Sequence, residues 1–274
     1  MKIYISADME GVAGVVDWDQ CRSGGPGHEQ GARLLLGEVN AAIEGAIAGG
    51  ADEITVNDSH GLMANLAPDL LAGRASYLSG RHKPDYMMQG LDAGYAAVLF
   101  VGYHGSMPSR SVLSHTYNPR VVSDARLGGV RAAESGINAL AAAGHGVPVV
   151  LVTGDQFVGP EAEPFCPGIH AVVVKHSHSR EAAESLHPEV ARERVREGAR
   201  ESVIELTRAA SRPVTFGGPL EVDLLTADMA EQATWVRGVE QVGQRTITIA
   251  TGEPLAAFRA FVAVIAITRG LGTA

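Results

Sequence analysis

The 274-residue sequence has only two cysteines, Cys21 and Cys166, which excludes a disulfide framework and leaves both as ordinary thiols. Basic charge is in deficit. Lys and Arg number 22 against 31 Asp and Glu, a formal net charge of -9 that argues against nucleic acid or an anionic membrane as partner, since both demand a basic face. Long apolar runs are also missing. The longest, FVAVIAIT from Phe261 to Thr268, is far shorter than the roughly 20 residues of a membrane span and is expected to be a buried helix. The opening MKIYISAD meets an acid at Asp8, too early for the apolar region of a signal peptide. A cytoplasmic protein acting on a small substrate is therefore expected. No internal repeat or low-complexity linker interrupts the chain. What is abundant is apolar surface: 46% hydrophobic residues at this length imply a sizeable core.

Strand-like and helix-like runs alternate through the first two-thirds. KIYISAD leads through the loop RSGGPGHEQG to a segment with Leu35, Val39, Ile43 and Ile47 on one helical face, stopped by Gly49 and Gly50. Next come EITVND, AAVLFVGYH, the helix-like ESGINALAAAG, VPVVLVTGD and HAVVVKHSHS. Several strands are almost continuously apolar, as in a parallel sheet covered by helices on both faces. This predicts a three-layer α/β/α domain with a mostly parallel central sheet over residues 1–210. A charged helix, PEVARERVREGARESVIELTR, closes it with Val195, Ala199, Val203 and Leu206 inward. From 211 to 274 the pattern strand (LEVDLL), helix (TADMAEQAT), strand (RTITIAT), helix (Pro254 to Thr268) predicts a smaller α+β unit.

Polar residues gather where the strands end, the edge at which open α/β sheets collect ligands. IYISAD ends in Asp8 and Glu10, EITVND runs into His60, VLFVGYHG ends in His104, and VLSHT, read as a short strand, carries His115. The strand period places Asp8 and Glu10 on one face with Cα atoms roughly 6.6 Å apart. Two like charges there are either solvated or held by a cation. Each residue alone has an ordinary explanation: a solvated acid, a hydrogen-bonded histidine, or, for Glu134, a charge favoured at a helix start. Four strand ends together point to a metal site.

SADMEG (6–11), NDSHG (57–61), GYH (102–104), SHT (114–116) and ESGINA (134–139) occur in the order and spacing of the D-aminopeptidase family of zinc metallopeptidases, which the chain resembles along essentially its whole length. The resemblance implies two Zn²⁺ per chain held by Asp8, Glu10, His60, His104 and Glu134, with His115 as the catalytic histidine. It implies a short peptide or aminoacyl amide substrate cut after an N-terminal D-residue. It also implies a homo-oligomer, a ring-shaped decamer. A shared carboxylate can hold two ions about 3.5 to 4 Å apart, and Asp8 is the natural bridge. His115 could act as base, acid or nucleophile.

Two other readings stay open: a two-metal hydrolase of a cyclic amide or phosphoester, and a non-catalytic metal-binding scaffold that has no need of His115. The phosphoester is disfavoured by the lack of a phosphate-cradling glycine loop and of a clustered Arg/Lys patch near the acids. His176 and His178 share a strand face without matching any family ligand. Ser114 beside His115 would point the opposite way on a strand. Asp155 and Lys175 are further groups that could lie near the site.

Overall fold

A computed structural model describes residues 1–208 and 216–273. Its strands are β1 (Lys2–Ala7), β2 (Glu53–Asp58), β3 (Ser76–Leu78), β4 (Ala97–Val101), β5 (Val122–Leu127), β6 (Val130–Arg131), β7 (Val149–Asp155), β8 (His170–Ser179), β9 (Ala182–Ser185), β10 (Leu220–Leu224), β11 (Val239–Gln241) and β12 (Thr246–Ile249). The helices are α1 (Trp18–Cys21), α2 (His28–Ala48), α3 (Glu134–Gly144), α4 (Val158–Ala162), α5 (Pro188–Arg208), α6 (Ala227–Ala233) and α7 (Pro254–Thr268).

The central sheet has the order β3-β2-β1-β4-β7-β8-β9 and is parallel except for the last pair. Its strands bury both faces, which is why they lack polar alternation. On β1, Ile3, Ile5 and Ala7 pack on one side with Leu35, Val39 and Ile43 of α2 and Val195, Ala199 and Val203 of α5. Tyr4, with Phe100 of β4, packs on the other side with Ile137 and Leu140 of α3 and Phe258 and Phe261 of α7. The three expected layers are present. Ile47 departs from expectation: it is 42% exposed, because the inward stripe of α2 drifts off the sheet by its last turn.

The last part of the chain does not build its sheet alone. β10 pairs with β12 on one edge and with β5 on the other, giving an antiparallel sheet of order β11-β12-β10-β5-β6. Leu220 and Val222 of β10 and Ile247 of β12 enter the same apolar cluster as Phe100 and Ile137. The boundary expected at 210/211 itself lies outside the described residues. Pro254–Gly272 is long and apolar enough to cross a bilayer by length and composition, yet Phe258, Phe261 and Val264 of α7 are fully buried in this core.

Candidate metal centre

Four segments meet at the carboxyl edge of the parallel sheet. Asp8 and Glu10 follow β1, His60 follows β2, His104 follows β4, and Glu134 opens α3. All five are buried. The strand period reaches only part of this arrangement, because β1 stops at Ala7 and Glu10 sits in the turn beyond it. Asp8 still donates its N–H to Val101 O at 2.8 Å. The turn then wraps around a buried ammonium: Lys175 Nζ donates to the carbonyls of Glu10, Val12 and Val15.

Close approach of β1 and β4 brings the donors together, and glycine makes it feasible. Gly11 N–H donates to Gly102 O at 2.8 Å. A Cβ on Gly11 would lie 1.8 Å from Tyr103 O, and one on Gly102 (φ +74°) would lie 2.2 Å from Asp8 O. Asp8 consequently stands between His60 and His104.

Each imidazole has its proton fixed by a main-chain carbonyl. His60 Nε2 lies 2.8 Å from Cys21 O, His104 Nδ1 3.0 Å from Gly105 O, and His115 Nδ1 2.9 Å from Leu113 O. A carbonyl only accepts, so these nitrogens carry hydrogen and the other nitrogen of each ring faces the centre. His60 Nδ1 is 3.1 Å from Asp8 Oδ1 and 2.9 Å from Glu10 Oε2. His104 Nε2 is 3.5 Å from Asp8 Oδ2 and 3.6 Å from Glu134 Oε1. His115 Nε2 is 3.5 Å from Glu134 Oε1. Asp8 Oδ2, Glu10 Oε2 and His104 Nε2 are buried without a hydrogen-bond partner. Inward-facing buried atoms of this kind fit a cation.

Burial pushes the Asp8 carboxyl up, and Glu10 beside it adds to the shift. Burial acts on Glu10 in the same direction but is outweighed by His60, His115 and His104, which hold it well below the usual carboxylate range. Burial raises Glu134 to about 8. For His104 burial is opposed by Glu134, Glu10 and Asp8, which lift it to about 9. A second proton and a divalent cation thus compete for the same inward nitrogen. His115 behaves differently: burial and then His104 press it down to about 3, so its ring is neutral near pH 7.

Donor atoms of Asp8, His104 and Glu134 all lie within 4.8 Å of one another, as do those of Glu10, His104 and His115 and those of Glu10, Cys21 and His60. Carboxylate oxygens and neutral imidazole nitrogens are ligands zinc accepts. Asp8 faces both the His60 and the His104 side.

His115 reaches the centre from a loop, correcting the expected short strand at VLSHT. The loop's polar groups bond to side chains and to Arg180 rather than to a neighbouring strand. Ser111 Oγ donates to Asp155 Oδ2, Val112 N–H to Ser177 Oγ, and Leu113 N–H to Arg180 O. The His115 ring stacks on His104 at 4.2 Å and 12°, with the Trp18 ring edge-on at 5.5 Å. Asp155 and Lys175 therefore position loops and do not line the cavity. Ser114 is buried and donates to Ser109 O, and His176 and His178 are exposed on β8. Cys166 is buried in the core away from the centre.

A family model described as D-aminopeptidase, peptidase M55, matches residues 1–263. The chain belongs to the D-aminopeptidase family. The D-aminopeptidase of Bacillus subtilis (strain 168) is 33% identical over 271 residues, covering 95% of each chain. The solved structure of the zinc-dependent D-aminopeptidase DppA from Bacillus subtilis, described as a self-compartmentalizing protease, matches at a TM-score of 0.90 and 30% identity over 98% of both chains. The D-aminopeptidase match thus spans both sheets and every residue of the centre.

Sequence reading missed several residues around the centre. Cys21 brings its thiol beside Glu10 and His60 and its carbonyl to His60, while Trp18 abuts His115. Both ride on α1, whose four residues are too short for periodicity to reveal. Its signal was the capping box DWDQ: Asp17 accepts from Asp19 N–H, and Gln20 Oε1 accepts from Asp17 N–H. Tyr117 N–H donates to Glu134 Oε1 at 2.7 Å, from a position that no spacing marks.

Proposed function

We propose that this protein is a two-zinc aminopeptidase that removes the N-terminal residue, a D-amino acid, from short peptides or aminoacyl amides. One observation supports the reading: three buried carboxylates and two imidazoles with carbonyl-fixed protons converge on one buried centre, beside a third, neutral imidazole. Asp8, Glu10 and His60 would hold one ion, and Asp8, His104 and Glu134 the other. Zinc bound there supplies Lewis acidity, which polarises an amide carbonyl and lowers the pKa of water. The remaining steps belong to the protein. His115, with Nδ1–H held by Leu113 O, presents Nε2 to the cavity and can accept a proton there or attack the carbonyl carbon. Trp18, Leu62 and Tyr86 line the same cavity of about 710 Å³, enough for a short peptide but not a folded chain.

Metal analysis of protein purified without added metal tests the assignment. Up to two zinc equivalents per chain are expected, with turnover of D-aminoacyl amides abolished by chelation and restored by add-back. Less than about half an equivalent of any transition metal, with none taken up on titration, would overturn it.

The D-preference rests on the relatives' activity. A closed homo-oligomer, a ring-shaped decamer, is proposed on the same ground, because the matched relative is self-compartmentalizing. Trp235 at 76% exposure and Val242 at 58% offer apolar surface that assembly would cover. Light scattering that finds only the 28.6 kDa monomer at micromolar concentration would exclude it.

A further inference from the structure

The cavity over the centre is polarised, and its mouth carries the sign opposite to its floor. Asp8, Glu10 and Glu134 are buried at the floor, whereas the exposed charged residues that line the cavity are all arginines: Arg22, Arg120 and Arg269. In a chain with nine more acids than bases, an all-arginine rim is not the surface average. None of the three forms an ion pair among the described residues, where the paired arginines are Arg126, Arg131, Arg196, Arg200 and Arg259.

Three separate segments deliver them. Arg22 follows α1, with its guanidinium 5.8 Å from the Trp18 ring centroid. Arg120 sits behind Pro119 in a turn whose Asn118 Oδ1 accepts the Arg120 N–H at 2.9 Å. Arg269 caps α7, donating its N–H to Ile265 O. The turn that begins at Arg269 packs on the Arg120 segment so closely that a Cβ on Gly272 would lie 2.6 Å from Arg120 O. This contact fixes Arg120 and Arg269 on neighbouring segments of the rim.

We propose that the rim binds the C-terminal carboxylate of the substrate, with Arg120 and Arg269 as its specificity-determining residues. The selected substrates are then short free-acid peptides. Guanidinium presents paired N–H donors in the geometry of a carboxylate, and a charged hydrogen bond of this kind contributes roughly tenfold or more in affinity. Rim and floor line one cavity of about 710 Å³, so a short peptide with its scissile amide at the floor has its carboxylate toward the arginines. The inference rests on the peptidase reading and deepens it.

The experiment compares a D-Ala-led dipeptide and tripeptide with their C-terminal amides, in zinc-loaded wild type, Arg120→Gln, Arg269→Gln and the double variant. The wild type is expected to favour the free acid by about tenfold in kcat/KM, chiefly through KM. In the double variant the acid-to-amide ratio should fall to about one, and Arg120→Lys should recover part of it. Calorimetric affinities of the same acid and amide peptides read the rim even without turnover. Absence of turnover would strike the peptidase reading, whereas turnover or binding with no acid preference in the wild type would overturn this one. An acid preference that survives in the double variant would overturn it as well.

Discussion

Asp8→Ala is expected to be the most damaging single substitution, lowering kcat/KM by roughly 10⁴-fold or more and leaving less than half a zinc equivalent bound. The reason is its position between two imidazoles. Oδ1 lies 3.1 Å from His60 Nδ1 and Oδ2 lies 3.5 Å from His104 Nε2, so in the proposed two-zinc arrangement one carboxylate would serve both metal positions. Its removal leaves Glu10 with His60 on one side and His104 with Glu134 on the other, two protein ligands each where a catalytic zinc site uses three. Losing the Lewis acidity of both ions removes several kcal/mol of transition-state stabilisation, and about 5.5 kcal/mol corresponds to 10⁴ in rate. Loss of fold would imitate this result, but the physics separates the two. Asp8 is a buried acid whose ionised form is disfavoured by desolvation and by Glu10, so the chelated variant should melt close to the chelated wild type. Glu134→Ala supplies the contrast, because it strips one position and should leave about one equivalent. If Asp8→Ala likewise keeps one full equivalent, Asp8 is a terminal ligand and the shared-carboxylate arrangement is wrong.

The parts of this centre that were legible in the sequence are those governed by local rules. Helix α3 begins at Glu134, as the run ESGINALAAAG implies, and β8 occupies HAVVVKHSHS. Apolar continuity marked the covered parallel sheet, and the carboxyl-edge rule then gathered Asp8, His60 and His104. Glu10 reached the centre by another route than the strand period suggested. A turn folded around Lys175 places it, and nothing near Glu10 in the sequence announces a lysine 165 positions away. The second sheet was obscured for a similar reason: β10 reads as an isolated strand, but its partner β5 lies almost 100 residues earlier. Pairing register across that distance depends on which apolar faces remain uncovered once the central sheet has formed. Tyr117, Arg120 and Arg269 fall in the same class, as turn or helix-end residues placed by tertiary contacts.

His115 unites both kinds of placement, since its nearness to His104 was legible and the loop that carries it was not. His115→Ala is expected to leave metal content and thermal midpoint near wild type while kcat falls by roughly 10² to 10⁴, the range for losing a positioned acid or base. Its ring nitrogens have different tasks. Nδ1 is committed to Leu113 O, and Nε2 faces the Glu134 side of the centre, outside both of the proposed three-ligand sets. Burial and the adjacent His104 keep the ring neutral near pH 7, the state in which Nε2 can take a proton or attack a carbonyl carbon. A purely structural histidine would show the reverse pattern. Losing its stacking on His104 and its edge contact with Trp18 would lower the midpoint, while the folded fraction kept its specific activity. His115→Gln extends the test, because an amide can restore polar contact and volume but cannot shuttle a proton near neutral pH. Equal kinetic losses in the Ala and Gln variants, with zinc retained in both, identify the imidazole as the reacting group. Full activity with both ions bound would remove His115 from the reaction.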